Sequence, residues 1–290
     1  MKTLYEYANG NYMVTIYEDG TKIRAHSGSP CPEFPESLDL KITNKCDAGC
    51  AWCHEESHGL GRHAKPDGIF EALHGLPAGV EIAIGGGDPL LHPDIEFILE
   101  HMREQGLVPN ITVNSRHLER HWPLLCRLQD SGLFFGLGVS FHPGMMPWID
   151  KMQERNPNTV IHMIAGLDKT YELWRLVDRP RKILILGYKQ YGRGSQYFCK
   201  NVEEGMTMWA YWISHFLRYG KATISFDNLA IEQLCIKDLL SDETWNLCYM
   251  GDDGKFTMYV DAVTNSYAIS SRHDRVPLNG LDSRTAFGLL

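Results

Sequence analysis

Three cysteines fall within eight residues, Cys46-Asp-Ala-Gly-Cys50-Ala-Trp-Cys53, directly after a run of strand-forming residues. Soft thiolates in that density bind iron–sulfur clusters or zinc. Three of them on a short loop can hold three irons of a cubane [4Fe–4S] cluster and leave the fourth iron without a protein ligand, an open coordination site. Structural zinc instead takes four ligands in a closed tetrahedron. His54 adjoins Cys53 too closely to complete such a set easily, whereas His58 or His63 could. Spacing alone leaves both metals open. The other five cysteines, Cys31, Cys126, Cys199, Cys235 and Cys248, are scattered, and without an export signal they do not read as a disulfide framework.

A second group is the run Gly85-Gly86-Gly87-Asp88-Pro89. Glycines let a backbone approach a ligand closely, and a carboxylate attracts an ammonium group. Alone, the run reads equally well as a tight strand-to-helix turn.

The elements that must position these groups alternate in type. Residues 3–26 read as a small antiparallel meander, with Asn9-Gly10 and Asp19-Gly20 suited to type I′ turns. A Pro-, Ser- and Gly-rich connector follows, from Ser27 to Pro35. Strands are expected at Leu38 to Ile42, Val80 to Ile84, Leu107 to Val113, Leu133 to Ser140, Thr159 to Ala165 and Lys182 to Leu186. Helices should lie between them: one opened by Pro93, one around Trp122 to Gln129, and segments near 145–155 and 168–178. A longer helix near 201–218 carries Val202, Met206, Trp209, Ile213 and Phe216 at core spacing, which makes its Met and aromatic residues core rather than a substrate platform. Phe256 to Val260 and Tyr267 to Ser270 read as a hairpin beyond these units. Strands alternating with helices imply a parallel sheet, and six such units imply a partial, open (β/α)6 barrel.

Of the 290 residues, 43% are hydrophobic and 22% charged, enough to bury a sizeable core. The net charge of -8 gives no basic field, so binding to bare nucleic acid is not expected to dominate. No charged-then-apolar leader and no membrane-length apolar run stand out, and the expected location is the cytoplasm.

With the cysteine loop after the first strand and the Gly-Gly-Asp-Pro motif after the second, the chain resembles the radical SAM superfamily. The resemblance spans residues 38 to about 190 and removes zinc from contention. It implies that Cys46, Cys50 and Cys53 hold one [4Fe–4S] cluster, with Trp52 as the aromatic residue before the third cysteine. In the family the open iron is chelated by S-adenosylmethionine, whose one-electron cleavage gives a 5′-deoxyadenosyl radical that abstracts hydrogen from substrate. Gly86, Gly87 and Asp88 would meet the methionine amino group. Asn114 and Ser140 match positions that often reach the ribose or carboxylate, and Ile164 and Gly166 stand where the family packs adenine. Tyr188, Lys189 and Arg193 become candidate substrate contacts at the barrel mouth, while Cys199 and His142 are weak candidates for proton or hydrogen-atom donors. An electron donor such as flavodoxin or ferredoxin is implied.

Some relatives add a C-terminal extension with further clusters. Here Asn265 and Ser270 occupy its later Gly and Cys positions, so the hairpin is expected without its metal, and Cys235 and Cys248 as core residues. The expected organisation is a meander and connector at 1–35, the barrel at 36–225 and a small C-terminal β hairpin extension at 226–290. The degenerate extension suggests a peptide or protein side chain as substrate. The alternatives are a nucleobase or nucleotide, suggested by the aromatic-rich C-terminal half, and a non-enzymatic iron–sulfur sensor.

Overall fold

The meander forms first in the chain: β1 (Thr3–Asn9), β2 (Tyr12–Tyr17) and β3 (Lys22–Ala25) pair antiparallel in that order. Its turns differ from the expected type. Asn9 pairs with Tyr12, so the first turn is Gly10-Asn11, with φ +60° at Gly10 alone, which is the II′ pattern. Asn9 is pulled out of the turn because its buried side chain bonds Phe34 O and the Glu33 amide, tying the connector down. The second turn places Gly20 at φ +84° after Glu18 and Asp19, and the Gly20 amide donates to Tyr17 O, a three-residue hairpin.

The computed structural model, covering residues 1–290, then builds a ten-stranded sheet from alternating units. β4 (Ser37–Thr43) precedes α1 (Pro66–Leu73); β5 (Glu81–Gly86) precedes α2 (Ile95–Glu104); β6 (Val108–Asn114) precedes α3 (Leu118–Asp130). β7 (Gly136–Ser140), α4 (Met146–Arg155), β8 (Thr159–Ile164), α5 (Thr170–Val177) and β9 (Lys182–Leu186) continue the pattern. Two helices follow, α6 (Arg193–Tyr197) and the 20-residue α7 (Lys200–Tyr219), then a parallel edge strand β10 (Thr223–Phe226) absent from the sequence expectation. Pro93 does not open α2, which starts two residues later behind Asp94. On α7, Val202, Trp209, Ile213 and Phe216 are buried as expected, but Met208 and Tyr211 face solvent.

After α8 (Asn228–Gln233) and α9 (Asp242–Cys248), the hairpin β11 (Thr257–Asp261) and β12 (Ser266–Ala268) does not lie beyond the barrel. β11 pairs parallel with β4, giving the order β10-β9-β8-β7-β6-β5-β4-β11-β12-β13, with β13 at Val276–Pro277 and a short α10 at Ser283–Phe287. One apolar cluster runs from Leu38 through Ile185 to Val260 and Phe287, so the C-terminal strands share the barrel's core. Asn265 takes φ +53° at the hairpin turn, the left-handed conformation that a glycine would adopt there. Cys235 and Cys248 are exposed rather than core. Cys235 sits at φ +51° in a surface turn, and Cys248 ends α9, a helix with no buried residue.

Candidate cofactor and substrate site

The cysteine loop leaves the C-terminal end of β4 and is held on every side. Its entry is stapled to the glycine loop after β5: the Gly87 amide donates to Thr43 O and the Asp88 amide to Lys45 O, both at 2.7 Å. A Cβ at Gly87 would collide with Lys45 O, so only glycine permits this approach. On the far side, the Cys46 amide donates to His58 O (3.0 Å) and the Asn44 amide to Arg62 O (2.8 Å). His63 is tied to the Thr43 hydroxyl at 2.9 Å and packs edge-on against His92, and His58 is exposed. The three cysteines are free thiols.

Three arginines grip the loop itself. Arg116 donates to Ala48 O (3.1 Å), Arg120 to both oxygens of Asp47 (2.5 and 3.1 Å), and Arg193 to Cys50 O (3.2 Å) and Ser57 O (2.9 Å). Asn114 Nδ2 lies 3.6 Å from Cys50 Sγ, a donor aimed at sulfur. Burial raises the Cys46 and Cys50 thiol pKa values, with Cys53 adding to the effect at Cys50 and Arg116 and Arg193 opposing it there. Donors and cations around half-buried thiols suit an anionic, thiolate-bound cluster.

The Asp88 side chain is taken up by partners within the protein. Its carboxylate caps the Leu90 amide through Oδ1, while Oδ2 takes His121 Nε2 (3.0 Å) and Arg120 (3.2 Å), and His117 Nδ1 lies at 2.8 Å. His117 Nε2 also lies 3.0 Å from Asp47 Oδ1, so the two carboxylates, two imidazoles and Arg120 form one strut from the cysteine loop to the start of α3. Burial acts to raise the Asp88 pKa, but the hydrogen bonds and charges of His117 and His121 outweigh it and hold the carboxyl well below the usual range.

Other candidates are placed as follows. Trp52 packs edge-on against Tyr197. Ser140 and Ile164 end β7 and β8 half-buried on the concave side. A Cβ on Gly166 would strike Met206 and Val202 O, so this glycine lets the chain pack against α7. Tyr188 is not available to a substrate: it is buried and donates its hydroxyl to Gly194 O at 2.8 Å. Arg193 likewise serves the cysteine loop. Lys189 remains at the mouth, near His54 and the Ser271 hydroxyl. His142 stands after β7 with its Nδ1 unpartnered, and Cys199 is exposed at the start of α7.

The sequence reading missed the lumen. On β4, β5, β6, β7, β8 and β9 the residues facing the helices are fully apolar: Leu38, Leu40, Ile42, Ile82, Ile84, Ile111, Val113, Leu137, Val139, Ile161, Met163, Ile183 and Ile185. Their alternates point to the concave side; on β4 to β7 these are mainly small or polar, among them Asp39, Ala83, Gly85, Asn110, Thr112, Gly136 and Gly138, whereas β8 and β9 set His162 beside the apolar Val160, Ile164, Leu184 and Leu186. A closed eight-stranded barrel fills its interior with bulky side chains; here the β4–β7 part of the concave face carries mainly small and polar ones. The signal was present, because a parallel sheet covered on both faces reads as continuous apolar runs, not as alternation. Also missed was the set Lys41, Glu55, Asp261 and Arg275, buried at the first three side chains and exposed at Arg275, in which Lys41 lies 2.5 Å from Glu55 and 3.3 Å from Asp261 and Tyr259 donates to Glu55 at 3.0 Å. These residues tie β11 and the C-terminal segment to the end of the cysteine loop.

Fold and site together define an open α/β barrel that gathers thiolates and a glycine loop at the C-terminal ends of β4 and β5. Residues 40–182 match the family described as "Radical SAM superfamily", and the chain belongs to that superfamily. Its site accordingly takes a [4Fe–4S] cluster and S-adenosylmethionine, and the three thiols with the donors around them fit the cluster. The chain is 36% identical over 102 residues to "Probable GTP 3',8-cyclase" of Methanocaldococcus jannaschii, covering 33% of each protein. A Pyrobaculum aerophilum protein of the same name is 26% identical over 142 residues, covering 48% of this chain and 44% of that one. The chain thus spans a third to under half of these curated relatives' length. In fold it is similar to Streptococcus suis SuiB bound to S-adenosylmethionine (TM-score 0.58, 14% identity, 89% of this chain and 66% of that one). The same protein bound to its precursor peptide SuiA gives TM-score 0.57 at 13% identity, covering 89% and 65%. No helix is long and apolar enough to cross a membrane.

Proposed function

We propose that this chain is a radical enzyme acting on a small polar substrate of the nucleoside or nucleotide class, held in the barrel lumen below the cysteine loop. The observation that carries the reading is the juxtaposition of three free thiols, clamped at the C-terminal ends of β4 and β5, with a concave sheet face whose β4–β7 part is mainly small and polar. When loaded, the cofactors supply one-electron cleavage of the sulfonium and a 5′-deoxyadenosyl radical for hydrogen abstraction. The chain's own part is to hold and shield. Arg116, Arg120 and Arg193 keep the loop rigid, Asn114 directs an N–H at the Cys50 sulfur, and Gly87 allows the two loops to touch. The Lys41–Glu55–Asp261–Arg275 set ties the paired strands β4 and β11 and the C-terminal segment to the end of the cysteine loop.

A nucleotide-class substrate is favoured over the peptide suggested by the extension. Relatives named as GTP 3',8-cyclases match in sequence, whereas the peptide-bound neighbour shares only the fold. A low-potential electron donor such as flavodoxin or ferredoxin is the partner this chemistry needs. The test is anaerobic incubation of reconstituted protein with dithionite, S-adenosylmethionine and a panel of nucleosides, nucleotides and peptides. Formation of 5′-deoxyadenosine, raised by a nucleotide and carrying deuterium from it, is expected. No cleavage under any condition would favour a sensor; stimulation by peptides alone would restore the peptide reading.

A further inference from the structure

The helix α7 buries one side against the barrel through Val202, Trp209, Ile213 and Phe216, and its outer side has no partner in the chain. That outer side is not polar. Tyr211 is 72% exposed and Tyr219 66%, Met208 stands in solvent with them, and Trp174 of the neighbouring α5 joins the same surface. The rings form one continuous layer. Trp174 lies 5.6 Å from Trp212 and 4.7 Å from His215, His215 lies 4.7 Å from Tyr219, and Tyr211 meets Trp212 at 5.2 Å. Exposed apolar side chains scattered singly are ordinary, whereas a contiguous patch marks a surface that docks on something. The spacing along α7 narrows what docks. Glu204, Met208, Tyr211, His215 and Arg218 recur at steps of four, three, four and three, the period of a helix–helix seam. Glu204 and Arg218 close the two ends of this stripe with opposite charges, each seven residues from Tyr211. Arg218 has no acidic partner in its own chain, and Glu204 has only the exposed Lys200 at 3.5 Å.

We infer that this face is the interface of a two-fold dimer, in which α7 packs antiparallel on the α7 of a second copy, Tyr211 meets its symmetry mate, and Glu204 of each chain pairs with Arg218 of the other. A two-fold interface joins one patch to itself, so its charges must be complementary when the helix is reversed. α7 meets that condition, because reversal about Tyr211 exchanges Glu204 with Arg218. The same reversal sets Met208 against Ser214 and Thr207 against His215, so no like charges oppose each other at these positions. The 20-residue helix is about 30 Å long, enough for the whole seam, and α5 widens the contact through Trp174. A lipid surface would instead need cations along the polar edges of the helix, and this stripe carries an acid at one end. The stripe lies on the side of α7 opposite its buried residues, so the dimer does not depend on which substrate the barrel holds.

The test is sedimentation equilibrium of the anaerobically reconstituted full chain over a range of concentrations, in wild type, Glu204→Arg, Arg218→Glu, the double variant and Tyr211→Glu. Wild type should be a dimer. Glu204→Arg and Arg218→Glu should each weaken association by roughly tenfold or more, because two symmetric attractive contacts become repulsive. Tyr211→Glu sets two carboxylates face to face at the axis and should be monomeric at every concentration. The double variant should regain the dimer, and an equimolar mixture of the two single variants should form a heterodimer tighter than either homodimer, which a misfolded chain could not do. A monomeric wild type would overturn the interface. A dimer indifferent to Tyr211→Glu, Glu204→Arg and Arg218→Glu would place the contact elsewhere and overturn it equally. Single variants that dissociate with no recovery in the double variant or the mixture would overturn the antiparallel register.

Discussion

Replacing Arg193 with alanine removes two guanidinium hydrogen bonds from the cysteine loop, to Cys50 O and Ser57 O at 3.2 and 2.9 Å, and leaves only the residue's own amide on Cys53 O. A hydrogen bond to a charged group contributes roughly 1.5–3 kcal/mol. Arg193 is half-buried, so the lower figure applies and the pair totals about 3 kcal/mol. That changes the ratio of closed to open loop by roughly a hundredfold. A cluster lost only through the open loop should then be stripped by a ferrous chelator up to roughly a hundred times faster. Arg193→Lys keeps the charge but reaches one carbonyl at a time, so it should fall between the two. The measurement is the anaerobic decay of cluster absorbance in excess chelator for the three proteins at equal starting iron. Equal decay rates in wild type and Arg193→Ala would refute the clamp and return Arg193 to the substrate side of the site.

Three further outcomes are expected. Cys46→Ala, Cys50→Ala and Cys53→Ala should each lose the brown colour, and wild-type protein should hold about four irons and four sulfides per chain; about eight irons, half surviving in the triple variant, would reveal a second cluster. Asp88→Asn and Arg120→Ala should each lower the melting temperature, and their double-mutant cycle should show coupling of about 1 kcal/mol or more, because both act through one strut; additive effects would show that the strut carries no energy. His162 has its pKa driven down to about 4 by burial, against 6.5 unfolded, so below pH 6.5 the unfolded state binds the extra proton and stability falls as pH drops toward 4. At pH 5 this amounts to about 2 kcal/mol, and His162→Gln should flatten the acid limb of a denaturation series by that amount; an unchanged limb would place His162 in solvent.

Local signals carried much of this protein. Cysteine spacing, the glycine run and the punctuated strands depend on bond geometry and near-neighbour sterics, so Cys46, Gly87 and the boundaries of β9 were legible without a fold. The turn at Asn9 was misassigned because the residue's side chain is claimed by Phe34 and Glu33, 25 and 24 positions away. Long-range pairing also decided that β11 extends the barrel sheet: strand identity is local, but the partner strand is not. Asp88, Tyr188 and Arg193 were read as ligand contacts from their place after strands, yet each is held by protein partners. A polar side chain on a loop is within reach of a ligand and of its neighbours alike, and only the folded geometry determines which one it meets. The lumen stands between these cases. Alternation along β4 to β7 shows that one face of those strands is not packed like a core, but only the order and parallel pairing of the whole sheet set Asp39 and His162 four strands apart on its concave face.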